Sequence, residues 1–224
     1  MHEEAPPGQR GSHEPLMVAL APRAKLLTFS GALVALFFAA LDQTIVATAA
    51  PRLVADLSGF DRFAWVFTAY LLGSTIGLPI AGKLSDLYGR KWVLMGGIVI
   101  FMTGSVLAGS AQTMDQLIVY RAIQGIGAAG IFGNVFTVLA DLFWPAERGK
   151  WQGYLGTAFV AASVIGPLAG GTITDNWNWR WIFYINIPVG VLALSLIMFS
   201  MPAVRSLESR RAGVKSASRV GAYG

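Results

Sequence analysis

The stretch Gly82-Lys-Leu-Ser-Asp-Leu-Tyr-Gly-Arg-Lys91 sets four charges, Lys83, Asp86, Arg90 and Lys91, between two long apolar runs, with Gly82, Ser85 and Gly89 as turn or close-packing residues. A charged hairpin bounded by glycine and joining two membrane-length segments is suited to holding helices together at a membrane surface. Asp86 and Arg90 stand four residues apart and can pair within it, an exposed interaction worth at most about 1 kcal/mol.

The rest of the chain supplies those membrane-length segments. Apolar residues make up 54% of the sequence and charged residues 13%, with a mean hydropathy of +0.57, whereas a soluble globular chain carries about 25% charged residues. The charges are clustered, which leaves apolar runs at Leu26–Ala50, Phe63–Ala81, Trp92–Ser110, Leu117–Leu139, Trp151–Ile173 and Trp181–Met201. Each is close to the roughly 20 residues a helix needs to cross about 30 Å of hydrocarbon. The runs are continuously apolar and do not alternate with period two, so they predict helices and not a barrel. The predicted organisation is a mobile tail at 1–25, a six-helix transmembrane domain at 26–201 and a basic tail at 202–224. The first tail has no apolar core long enough for a cleavable signal peptide.

Basic residues predict the orientation. With a cytoplasmic N-terminus, Lys83, Arg90, Lys91, Arg148 and Lys150 fall on the inside together with the basic residues of both tails, while the outer loops hold only Arg52, Arg62 and Arg180. That asymmetry places both termini in the cytoplasm of a multi-pass cell-membrane protein. Trp65, Trp92, Trp144, Trp151, Trp177, Trp179 and Trp181 all fall near the ends of the runs, as an interfacial aromatic belt requires. The net charge of +5 then faces anionic membrane lipid, not nucleic acid.

Several chemistries are excluded. There is no cysteine, and His2 and His13 both sit in the N-terminal tail, so no thiolate or internal histidine metal site is expected. No phosphate-binding GxxxxGK[ST] loop occurs, and no nucleophile, base and orienting group converge on an enzyme site. Gly125-Ile-Gly-Ala-Ala-Gly130 matches a dinucleotide-binding pattern, but it lies inside an apolar run with no strand before it. Packing is the better account: Gly125, Ala129 and Gly133 recur every fourth residue, as do Ala162, Gly166 and Gly170 in the fifth run. The two ridges predict tight packing between the fourth and fifth helices.

Two charges lie inside the runs, Asp42 and Arg121. Counted from the outer ends, Asp42 lies roughly 12 Å deep and Arg121 roughly 6 Å deep at about 1.5 Å per residue. A charge so placed costs several kcal/mol unless paired or wetted, which points to a functional site facing a cavity. The alternatives are a permanent ion pair fixing the first helix to the fourth and, for Arg121, a side chain that snorkels to the interface.

The loop Gly82–Lys91 resembles the one between helices 2 and 3 of the major facilitator superfamily, in Gly82, Asp86, Gly89, Arg90 and Lys91. The resemblance continues in order to Gly190. LDQTIVATAAP, Leu41–Pro51, is similar to the helix 1 motif of the fourteen-helix drug:proton antiporters, with Ala47 where asparagine is common. LIVYRAIQGIGAA, Leu117–Ala129, resembles their helix 4 motif. Gly153, Gly166, Pro167, Gly170 and Gly171 resemble the helix 5 antiporter motif, with Ala162 where glycine is usual. WRWIFYINIPVG, Trp179–Gly190, resembles the start of helix 6. The resemblance implies an all-α membrane protein whose six transmembrane helices form one major-facilitator half, a 3+3 inverted repeat. It also implies proton-coupled efflux in which Asp42 carries the proton and Arg121 assists its transfer. A nearby cation favours the ionised carboxylate, so proton binding becomes dependent on conformation, the linkage an antiporter needs. Pro167 and its glycines suit a bending, closely packed helix.

No cofactor is expected, since the proton gradient is the energy source. The candidate cavity residues are Gln43, Thr44, Gln124 and Asn134. With one acid in an otherwise apolar pocket they suit lipophilic or cationic small molecules, and interhelical hydrogen bonds are an equal reading of each. Transporters of this fold hold substrate between two six-helix halves, and one half is present here. The expected partners are therefore substrate, protons, membrane lipid and either a missing C-terminal half or a second copy. In the relatives, the acid at the place of Asp86 grips a helix of that second half, approached closely at Gly82. The alternative function is a non-transporting fragment that associates with or regulates a full-length transporter.

Overall fold

The structure is a computed structural model and describes residues 20–201; most of the two expected tails, with His2 and His13, lies outside the described residues. Six helical segments long and apolar enough to cross a membrane make up nearly all of it. They are α1 (Pro22–Leu57), α2 (Phe63–Tyr88), α3 (Arg90–Gly109), α4 (Met114–Leu142), α5 (Pro145–Asn176) and a sixth segment in two pieces, α6 (Trp181–Tyr184) and α7 (Asn186–Ser200). A single 3₁₀ turn, Phe60–Arg62, precedes α2.

Proline and glycine set most of the boundaries. Pro22 and Pro145 open α1 and α5, where a missing N–H leaves nothing unpaired and the fixed φ already suits a helix. Pro51, near which the first apolar run ends, does not stop α1. The helix carries on for another turn and a half and buries Leu53 completely, ending where Ser58 turns left-handed at φ 49°. Pro188 has no N–H to offer the carbonyl of Tyr184, four residues earlier, and the sixth segment is interrupted at Ile185.

The segment Gly82–Lys91 is less of a loop than its composition predicts. Gly82–Tyr88 continue α2, Arg90 and Lys91 already belong to α3, and Gly89 alone makes the turn at φ 95°. Only glycine adopts such a φ without strain, and one such residue is enough to reverse the chain between two helices.

α4 packs chiefly against α2 and α3, and α1 chiefly against α5 and α7. The second scheme repeats the first with the leading and trailing three helices exchanged, and α1 and α4 run in opposite directions through the centre. This is the inverted repeat. More than half of the apolar stretch of α1 and of α4 is buried, against about a fifth for α2 and for α5.

Small residues permit the close approaches, but not between the helices predicted. Gly125 lies against the Tyr70 backbone and Ala129 against Gly77, both on α2, while Gly127 and Gly130 meet Gly97 and Phe101 of α3. The second ridge faces α1: Gly166 backs onto Thr44, Gly170 onto Ile45 and Thr48, and the Ala162 carbonyl accepts from the Thr44 hydroxyl at 2.9 Å. α4 and α5 touch only slightly. A ridge of small side chains marks close packing without naming the neighbour, and each ridge took the helix that the repeat relates to the one carrying the other ridge: α2 for the ridge on α4, α1 for the ridge on α5.

The bundle has a Gly89 end and a Ser58 end. At the Ser58 end each of the three arginines pairs with an acid: Arg62 with Asp115 at 2.5 Å, Arg180 with Asp56 at 2.9 Å and Arg52 with Asp175 at 3.4 Å. Five of the tryptophans stand exposed near helix ends. Two do not fit the expected belt. Trp151 stacks on Phe143 and packs edge-on to Phe29, and Trp179 is buried with its indole N–H on Asp56 at 2.9 Å.

Candidate functional site

Asp42 on α1 and Arg121 on α4 meet at the centre of the bundle, and neither side chain has any exposure. The Arg121 Nη1 donates to Asp42 Oδ2 and also to Gln124 Oε1 at 2.8 Å. Gln124, three residues along the same face of α4, returns its amide N–H to Asp42 Oδ1 at 2.8 Å. The other donor to Oδ1 is Asn186 Nδ2 at 2.9 Å, from the first residue of α7. The carboxylate thus accepts three charge-assisted hydrogen bonds, one of them from a cation. The guanidinium carbon lies 4.3 Å from the centre of the Tyr70 ring on α2, whose face stabilises the cation. Arg121 Nε and Nη2, Tyr70 Oη and Asn186 Oδ1 have no hydrogen-bond partner among the described residues.

This arrangement differs from the expected one in its surroundings. Asp42 and Arg121 are enclosed by helices and do not face a cavity, and Arg121 does not snorkel. Burial is tolerable because the charges cancel at contact distance and two amides donate to Asp42 Oδ1, which offsets part of the cost of desolvating the pair.

A second arginine-centred cluster lies at the Gly89 end. Arg90 donates through Nε to Asp141 near the C-terminus of α4, and lies 3.5 Å from Asp86 on α2. Lys91 gives its ammonium to the carbonyls of Met198 and Met201 at 2.7 Å each, which fastens α3 to the last turn of α7. Arg148 caps the end of α4 through the Ala140 carbonyl at 2.8 Å. Gly89 and the two basic residues after it therefore tie α2, α3, α4 and α7 together, a wider reach than a hairpin alone.

The four candidate cavity residues do not gather in one place. Gln124 belongs to the Asp42 centre. Thr44 bonds to the Leu41 and Ala162 carbonyls, and Gln43 is half-buried. Asn134 bonds to Ser85 of α2 and to the Gly130 carbonyl, thirteen residues or roughly 20 Å along α4 from Arg121. An apolar groove of about 360 Å³ between α2, α3 and α4, lined by Ile76, Ile80, Leu84, Gly97, Ile100 and Ile126 among others, includes none of the four. In the antiporter motif, Gly166 and Gly170 are close-packed on α1, while Gly153 and Gly171, like Gly82, have open space where a side chain would stand. α5 passes through Pro167 without interruption.

Sequence reasoning missed Asn186, Ser105, Tyr70 and Asp141. An asparagine two residues before a proline in an apolar run, Ile185-Asn-Ile-Pro188, was a readable signal for Asn186. Asp141 lay just past the fourth run as drawn. Nothing in the pattern marked Ser105 or Tyr70.

The profile of the Major Facilitator Superfamily matches residues 32–221. The chain belongs to this superfamily. With six membrane-capable helices it is a multi-pass membrane protein, built as one half of the superfamily fold. Multidrug resistance protein 3 of Bacillus subtilis (strain 168) is 51% identical over 168 residues, 75% of this chain and 33% of that protein. Multidrug transporter protein MdtP of the same organism is 49% identical over 173 residues, 77% of this chain and 32% of its own length. The chain thus spans about a third of the length of these relatives. The solved structure of the proton:xylose symporter XylE superposes with a TM-score of 0.73 at 17% identity, over 81% of this chain and 45% of that one. At that identity the likeness concerns the superfamily fold alone.

Proposed function

We propose that this chain is the N-terminal six-helix half of a proton-coupled drug antiporter of the fourteen-helix branch, with Asp42 as the proton-binding group. The observation that carries the reading is the enclosed Asp42–Arg121 pair. It joins the two central, oppositely directed helices and holds one acid on which a proton can act without solvent to blunt its effect. Protonation of Asp42 removes the charge that Arg121 answers, so the two helices are held by different forces in the two charge states. A rocking transporter requires such a difference.

The proposed substrates are lipophilic or cationic small molecules, consistent with the two multidrug relatives. The open faces of α2 and α5, with Gly82, Gly153 and Gly171 free of neighbours, support a second six-helix unit against them. The 62% exposure of the Asp86 side chain supports a contact between Asp86 and that unit. The excess of basic residues at the Gly89 end supports a cytoplasmic position for that end in a cell membrane. Single cysteines in this cysteine-free chain test the orientation. A membrane-impermeant thiol reagent on whole cells should label Asp61→Cys and spare Lys83→Cys, and the opposite labelling inverts the topology.

The function is tested in proteoliposomes under an imposed pH gradient, with the protein extended to the length of its relatives and with the 224-residue chain alone. Gradient-driven dye movement by the longer protein, abolished in Asp42→Asn, is the expected result; unchanged movement in Asp42→Asn removes Asp42 from coupling. Movement by the chain alone would show that two copies suffice, and its co-purification with a longer relative without transport would favour the regulatory reading.

A further inference from the structure

Asn186 stands where the proton site meets the break in the sixth helix. Its Nδ2 donates both to Asp42 Oδ1 and to Ser105 Oγ, at 2.9 Å each. Ser105, fully buried on α3, donates its own hydrogen bond to the backbone carbonyl of Phe183 at 2.8 Å. Phe183 lies in the single turn of α6 just before Ile185, where the helix is already interrupted because Pro188 withholds an N–H. A continuous chain of hydrogen bonds therefore runs from the Asp42 carboxylate through an amide and a hydroxyl to the backbone beside the break.

Each link has a stated polarity, and the polarity depends on the charge of Asp42. An ionised carboxylate only accepts, so it holds the Asn186 amide with Nδ2 toward it and leaves Oδ1, which has no partner among the described residues, turned away. A protonated carboxyl also donates and needs an acceptor. Of the two amides on Asp42, Gln124 is locked in its orientation because its Oε1 already accepts from Arg121. Asn186 is not locked. Turning its amide over presents Oδ1 to the new O–H and also offers an acceptor to Ser105, whose hydroxyl then leaves the Phe183 carbonyl.

We infer that Asn186 is a positioning residue whose amide follows the protonation of Asp42 and relays it, through Ser105, to the Phe183 carbonyl at the break in the sixth helix. The inference rests on the reading of Asp42 as the proton-binding group. The proton arrives from bulk water and stays on the carboxylate; no other bond forms or breaks, and the relay only exchanges hydrogen bonds. The other groups facing Asp42 are Arg121 on α4 and Tyr70 on α2. α3 and α7 contribute the neutral Ser105 and Asn186, and α5 meets this part of α1 through Ala162 and Gly166.

Phe183-Tyr184 is the only Phe-Tyr step in the chain, so labelling phenylalanine with ¹³C at the carbonyl and tyrosine with ¹⁵N isolates the Phe183 carbonyl in a solid-state NMR spectrum. The 224-residue chain in lipid nanodiscs is titrated with pH. In the native sequence the Phe183 carbonyl resonance should move with pH, and in Asp42→Asn it should not. Ser105→Ala, which removes one oxygen, and Asn186→Leu, which removes the amide at nearly constant volume, should each abolish the movement. In parallel, the infrared band of the protonated Asp42 carboxyl, identified by its absence in Asp42→Asn, should still appear on acidification of Ser105→Ala. Movement of the resonance that survives Ser105→Ala overturns the relay while leaving Asp42 as the proton site. Absence of any titrating Asp42 band overturns the underlying reading, and the relay with it.

Discussion

Arg121 and Arg90 each pair with an acid on a neighbouring helix and have a second acceptor, Gln124 on its own helix for Arg121 and Asp86 on α2 for Arg90, yet they live under different rules. Arg121, Asp42, Gln124 and Asn186 are all fully buried, so every change of charge must be answered by another protein group. Arg90 and Asp141 retain side-chain exposures of 19% and 12%, and Asp86 retains 62%, so water and lipid headgroups can replace a lost partner. Similar ion pairs therefore make a charge-sensitive centre in one place and a mechanical clasp in the other.

The contrast is most sharply challenged by removing one partner from each. Arg121→Ala leaves a buried, unpaired carboxylate and should cost about 3–5 kcal/mol, read as loss of the folded, monodisperse chain in detergent. Asp141→Ala should cost about 1.5–3 kcal/mol, as for a hydrogen bond to a charged group, measured by thermal unfolding. Equal losses would erase the distinction. A steric pair sharpens it further. Gly127 abuts the α3 backbone whereas Gly171 faces open space, so Gly127→Val should destabilise by about 1–3 kcal/mol through overpacking and Gly171→Ala by less than about 0.5 kcal/mol. A small effect is also expected for Asp86→Asn, at most about 1 kcal/mol in the isolated chain. A larger cost would mean that Asp86 has more to hold than Arg90.

The helices and the charged centre were legible in the sequence for the same reason. In a membrane a long apolar run has few structural alternatives, and a charge within it stands out, as Asp42 and Arg121 did. What the sequence hid was adjacency. The ridges at Gly125 and Gly166 announced close packing, but whether each met a near or distant helix depends on the inverted repeat, which no local spacing encodes. Asn186 and Ser105 were hidden because neutral polar side chains are common in spans, and only their convergence on Asp42 distinguishes them. Gly82–Lys91 was legible in chemistry and misjudged in shape. Its charges do bind helices together, but they do so from the ends of α2 and α3, with Gly89 as the only turn.

The central claim is that Asp42 exchanges a proton as part of the transport cycle. It is tested most directly by adding a lipophilic cation to the purified longer protein in weakly buffered detergent solution and recording proton release with a pH indicator. Release in the native sequence, abolished by Asp42→Asn and retained in Asp86→Asn, is the predicted result. Undiminished release from Asp42→Asn would contradict it.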